Sequence, residues 1–131
     1  MDDIRLHVEA EINPTESEQK VREAVENTFG PMNMQIKPLH KGNLLTAEAK
    51  GQEALARLHG LLMRERIRAA ARTVMLHGLE EKSLNFWLNK QVAYAGHISF
   101  STEPNESPLG PIKVEIKCEN PRQVVQYLTA Y

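Results

Sequence analysis

Ile4-Arg5-Leu6-His7-Val8-Glu9-Ala10-Glu11-Ile12 alternates apolar and polar side chains without interruption. Successive side chains of an extended chain point to opposite faces, so this run reads as a strand with one buried and one wet face. Asn13-Pro14 ends it, and Thr15-Glu16-Ser17-Glu18 has the form of a capping box, with a hydroxyl and a carboxylate for the free amides of a helix start. A helix of about thirteen residues is expected from there. Its inner stripe is Val21, Ala24, Val25 and Thr28, and Phe29-Gly30-Pro31 stops it.

Working outward, Met32, Met34 and Ile36 and then Leu45, Ala47 and Ala49 alternate on either side of Lys41-Gly42-Asn43, which predicts a hairpin. Residues 52–77 contain no proline and read as helix. One straight helix fails a phase test: Leu55, Leu58 and Leu62 sit about 140° around from Ile67, Ala70, Ala71 and Val74. A break near Met63–Arg66 is therefore expected, with His77-Gly78 as a glycine cap. Leu84, Phe86 and Leu88 predict a strand, and Tyr94, Gly96, Ile98 and Phe100 another, with Asn89-Lys90-Gln91 as a turn or single helical turn between them. Ile112, Val114 and Ile116 predict the last strand, and Asn120-Pro121 opens a closing helix on Val124, Val125 and Leu128. Strands and helices mix without strict βαβ alternation. The expected fold class is α+β, one domain over residues 1–131, with a largely antiparallel mixed sheet and helices packed on one face.

At 131 residues, 41% hydrophobic and 25% charged, the chain has room for one core. No apolar run is long enough for a leader or a membrane span, so a cytoplasmic protein without membrane contact is expected. Cys118 is the only cysteine, which excludes an intrachain disulfide and a thiolate zinc site built from this chain alone. Net charge is −1, against an indiscriminate polyanion binder, but the charge is segregated. Residues 1–30 hold eight acids against three cations, and residues 31–72 hold eight cations against three acids. The second block makes a positive patch if folding gathers it.

Arg64, Arg68 and Arg72 recur at four-residue spacing, with Arg66 among them. Arg68 and Arg72 fall opposite the Ile67/Val74 stripe, and an exposed guanidinium row can grip phosphates bidentately. The same spacing equally fits a solvated face with Glu65 pairing Arg68. Asn89, Lys90 and Gln91 offer amide and ammonium donors at a sheet edge, suited to phosphate or ribose, and turn chemistry explains Asn89 as well. Trp87 and Tyr94 are candidates for base stacking or for the core. The five histidines are scattered singly, and no phosphate loop, nucleophile elbow or base beside Cys118 is visible; no metal, cofactor or enzymatic activity is expected. Ser107-Pro108-Leu109-Gly110-Pro111 reads as a rigid loop, structural or a recognition edge.

Four blocks carry a resemblance: Val8-Glu9-Ala10-Glu11-Ile12-Asn13-Pro14-Thr15-Glu16, Arg64-Glu65-Arg66-Ile67 with Ala70-Ala71-Arg72, Phe86-Trp87-Leu88-Asn89-Lys90-Gln91, and Glu106-Ser107-Pro108-Leu109-Gly110-Pro111-Ile112. In that order they resemble an archaeal family of small uncharacterised proteins labelled RNA-binding or exosome-associated. The resemblance spans nearly the whole chain. It implies a fold similar to the large-subunit ribosomal protein that binds five-S RNA, and a non-enzymatic RNA-binding or RNA-processing accessory role. Within it, Arg64, Arg66, Arg68, Arg72 and Lys90 are expected to contact phosphates, with Asn89 and Gln91 giving orientation. The competing expectation is an adaptor that docks on RNA-processing proteins through an edge strand or the Pro108–Pro111 loop without touching RNA.

Overall fold

Six strands pair antiparallel in one sheet in the computed structural model, which describes residues 3–101 and 110–130. Strand β1 (Arg5–Ile12) lies between β3 (Asn43–Lys50) and β6 (Pro111–Lys117). Outside β3 runs β2 (Asn33–Pro38), and outside β6 run β4 (Ser83–Asn89) and the two-residue β5 (Phe100–Ser101). The alternation read from the sequence sets what each face carries. Leu6, Val8 and Ala10, Leu45 and Ala47, Leu84, Phe86 and Leu88, and Ile112, Val114 and Ile116 are all buried on one side. Each such large side chain contributes roughly 1.5–3 kcal/mol by leaving water.

Helices α1 (Glu18–Phe29), α2 (Ala56–Arg64), α3 (Arg68–His77), α4 (Lys90–Tyr94) and α5 (Pro121–Thr129) cover that side. They contribute Val21, Val25, Leu58, Leu62, Met75, Val124 and Leu128 to the same core. His59 of α2 stacks on Tyr127 of α5 with ring centroids 4.7 Å apart. The other face of the sheet carries the polar half of the alternation and forms an open concavity of about 940 Å³.

The break in the long helical stretch falls where the phase test puts it, between Arg64 and Arg68. Arg66 adopts φ +57° there, a left-handed backbone usually given to glycine. Three local expectations differ from the structure. The cap of α1 is Ser17, whose hydroxyl accepts from the Lys20 amide at 3.3 Å, while Glu18 pairs with Arg22 and Glu16 turns inward. Tyr94 and Gly96 belong to no strand: Asn89 accepts from the Val92 amide at 3.0 Å, so its cap extends the expected single turn into α4, and pairing resumes only at Phe100. Gly78 ends α3 without a left-handed turn, at φ −96°. Of the loop at Ser107–Pro111, residues 107–109 lie outside the described residues.

Gly78 is required for a different reason: a Cβ there would sit 1.7 Å from the Asn85 carbonyl oxygen of β4. Gly78→Ala is therefore expected to destabilise the protein by about 3 kcal/mol or more, since backbone on both sides must shift. Urea denaturation at neutral pH reads this directly, and a loss under 1 kcal/mol would refute the close-approach argument.

Candidate nucleic-acid interface

Lys90 follows the apolar strand β4 at the first position of α4, and the pleat that buries Leu84, Phe86 and Leu88 carries its stem inward too. It is 3% exposed. Its Nζ donates to the Glu11 carbonyl oxygen at 2.7 Å and to Glu16 Oε1 at 2.9 Å. The same carboxylate oxygen accepts from the Asn13 amide at 3.0 Å and from Asn13 Nδ2 at 2.7 Å. Burial pushes the Glu16 carboxyl up, but the Lys90 ammonium and the Asn13 donors outweigh it and hold the group below the ordinary carboxylate range. Lys90 thus joins β4 to the turn between β1 and α1 and is not presented at the surface. Of its neighbours, Asn89 is spent on the α4 cap and Gln91 is exposed.

Folding divides the arginine row in two. Arg68 Nη1 donates to the Ala130 carbonyl oxygen at 2.8 Å, and Arg72 Nη1 reaches Gln126 Oε1 at 3.2 Å and Thr129 Oγ1 at 3.4 Å. Both grip the C-terminal end of α5, where carbonyls carry the negative end of the helix dipole. Arg72 is exposed, as the stripe predicts, whereas Arg68 is half-buried. Arg64 and Arg66 lie elsewhere, at the end of α2 and in the exposed junction after it.

Arg64 has a partner that the spacing argument missed. Arg57, Gly60 and Arg64 lie on one face of α2, and with Asn27, Leu61 and Gly96 they line a groove of about 370 Å³. Arg57 Nη1 donates to the Glu26 carbonyl oxygen at 3.1 Å on one wall, and Arg64 Nη2 to the Gly96 carbonyl oxygen at 2.8 Å on the other. Asn27 Nδ2 donates to the Ala93 and Tyr94 carbonyl oxygens, each at 3.1 Å, and so ties α1 to the end of α4. Each guanidinium has five N–H donors, so these single contacts leave capacity for an anion. Gly60 sits between them, and a Cβ added there would meet no atom within 4 Å outside its own helix turn. Nearby, His97 Nδ1 lies 2.6 Å from Glu65 Oε1, and that contact is the main reason the Glu65 carboxyl is held below its ordinary range.

The basic block of residues 31–72 is therefore dispersed. Lys37 and Lys50 lie on the helix-free face of the sheet, Arg57 and Arg64 at the groove, Arg66 in the exposed junction after α2, and Arg68 and Arg72 on α5. Among the stacking candidates, Tyr94 is exposed with Lys20 Nζ 5.5 Å from its ring centroid, and Trp87 is half-buried on the helix-free face. Cys118 is buried, which pushes its thiol pKa up. Among the described residues no cluster of His, Cys, Asp and Glu is arranged to hold a metal, and no helix is long and apolar enough to cross a membrane.

A family model described as RNA binding matches residues 5–118. A UPF0201 protein of Pyrobaculum arsenaticum is 42% identical over 126 residues, covering 95% of this chain and 88% of the relative. One from Aeropyrum pernix is 37% identical, covering 95% and 84%. The crystal structure of the UPF0201 protein from Methanococcus jannaschii superposes with a TM-score of 0.85 at 26% identity, over 95% of this chain and 98% of that one. Mth689 of Methanothermobacter thermautotrophicus shares the fold with a TM-score of 0.71 at 19% identity, over 97% and 99%.

Two outcomes test these assignments. Lys90→Ala leaves Glu16 charged in a partly buried site and is expected to lose about 3 kcal/mol at neutral pH. A depressed carboxyl pKa stabilises the fold above the ordinary value near 4.3 and stops doing so as pH falls through the folded value. The gap between Lys90→Ala and wild type should therefore narrow below about pH 4 in urea titrations. Arg68→Ala with Arg72→Ala should destabilise by about 1–2 kcal/mol by uncapping α5, and an unchanged Tm would contradict the capping role.

Proposed function

The chain belongs to the UPF0201 family of archaeal proteins, and from that premise we propose that it is a non-enzymatic RNA-binding accessory domain whose helical side holds backbone phosphates in the Arg57–Gly60–Arg64 groove. The observation that carries the reading is the glycine. In a helix interior it is about 1 kcal/mol less favourable than alanine. No packing demand at Gly60 accounts for it, since an added Cβ there meets nothing. Its effect is to keep the space between two guanidinium groups open. Two full positive charges also outweigh the partial negative charge of the helix end at Glu26. Arg66 lies just beyond α2 and extends the basic surface.

RNA suits this arrangement because phosphate contacts need cations and donors rather than a shaped pocket, and they position a strand without reading its bases. Arg68, Arg72 and Lys90 support the site through the fold rather than by contact. The proposal extends to a place beside RNA-processing proteins such as the exosome. The outer edge of β2, which among the described residues pairs only with β3, offers backbone groups to an added strand from such a partner.

The test is fluorescence anisotropy with structured and single-stranded RNA over a salt series. Arg57→Gln with Arg64→Gln should weaken binding more than tenfold and flatten the slope of log K against log salt by about 1.4–1.8. Gly60→Leu, which replaces glycine by a strong helix former, should raise Tm yet also weaken binding. Wild-type affinity in both variants would rule the groove out.

A further inference from the structure

The register of the sheet places three cations side by side on its helix-free face. Arg5 of β1 stands directly opposite Lys50 of β3 on one side and Lys117 of β6 on the other. With strands about 4.8 Å apart, these make a line of positive charge roughly 10 Å long. Like charges directly opposite each other destabilise a sheet. Glu9, Glu48 and Glu115 share this face with them. In the next register row, His7 stands between Glu48 and Glu115, with its ring nitrogens 3.2 Å from Glu48 Oε1 and 2.9 Å from Glu9 Oε1. Glu115 lies 3.8 Å from Lys117, and among the described residues neither Arg5 nor Lys50 forms an ion pair.

The same face carries an aromatic. Trp87 alternates with the buried Phe86 and Leu88, so it points away from the core, where it is half-buried opposite Lys113. It lies four residues along β4 from Ser83, the partner of Lys117, or about 13 Å at strand rise. A basic line followed by a flat ring is the arrangement that holds a single strand, with phosphates on the cations and a base on the ring.

We infer that the helix-free face of the sheet is a second RNA-contact surface, on which Lys50, Arg5 and Lys117 hold backbone phosphates of a single-stranded segment whose base stacks on Trp87. This rests on the RNA-binding reading above but not on the Arg57–Arg64 groove. Trp87 is the only tryptophan in the chain, so intrinsic emission reports on this face alone.

The experiment titrates a labelled mixed-sequence single-stranded RNA into the full chain and follows anisotropy and Trp87 emission together. Both should change with the same midpoint. Arg5→Gln with Lys50→Gln and Lys117→Gln should weaken binding more than tenfold and flatten the salt slope by about 2. Because the triple variant removes a repulsion, its Tm should hold or rise, which separates lost contact from lost fold. Binding with silent Trp87 emission and a triple variant equal to wild type would overturn the second surface while leaving RNA binding intact. No binding of any RNA by the wild type would overturn both, and equal quenching by poly-glutamate would overturn the choice of RNA as the ligand.

Discussion

The Lys90–Glu16 ion pair is the contact on which the helical side of the molecule depends. It fastens the start of α4 to the turn after β1, and Asn13 holds the carboxylate from the other side. With α4 seated, its last carbonyls are available to Asn27 of α1, and the turn at Gly96 is placed where Arg64 reaches it. The groove between Arg57 and Arg64 is therefore built on a buried ion that touches none of it. A buried pair gains little net stability over apolar packing, yet removing one partner is strongly unfavourable. That asymmetry makes Lys90 a determinant of where α4 sits rather than a general source of stability.

The arginines illustrate how one side chain type serves two purposes at a spacing that does not distinguish them. Arg64 and Arg68 are four residues apart, but the left-handed backbone at Arg66 between them turns α3 away from α2. Arg68 and Arg72 reach the C-terminal end of α5, and Arg64 lies at a groove. A count of charge along the chain cannot separate the two uses, because the partner of each is set by contacts 32 to 62 residues away.

What was legible in the sequence was what depends on local period. The alternation of β1, the stripe of α1, the hairpin at Gly42 and the phase break before Arg68 all follow from side-chain geometry over a few turns or pleats. The break was visible only through phase, since Arg66 occupies a position where glycine would have announced it. Lys90 was not legible: between Asn89 and Gln91 it reads as a polar turn, and only the partners at Glu11 and Glu16 show why it turns inward. The strand expected through Tyr94 and Gly96 failed because the Asn89 cap competes locally with extended structure. Arg57 carried one signal, the Arg-x-x-Gly-x-x-x-Arg spacing that puts an open position between two cations on one helix face.

The cation line on the helix-free face is the clearest case of information that exists only in pairing. Sliding β3 or β6 by two residues against β1 would keep every apolar side chain on its own face, since the side-chain period is two. Such a slide would bring Glu48 or Glu115 opposite Arg5 and turn repulsion into attraction. Hydrophobic patterning therefore does not choose between the registers, and at the Arg5 row taken alone charge favours the one that is not adopted. The turns choose. Gly42 packs so closely on the Ile12 carbonyl that a Cβ there would lie 2.2 Å from it, and the Gly51 amide donates to the Ile4 carbonyl oxygen at 2.8 Å, pinning β3 at both ends. On the other side, the Asn85 amide bonds the Gly78 carbonyl and the Cys118 amide bonds the Lys82 carbonyl, which fix β4 and β6 in turn. A sheet held by its turns in a register that sets three like charges abreast is stable by itself only because its apolar face outweighs the repulsion, and an anion lying across the line would remove that repulsion.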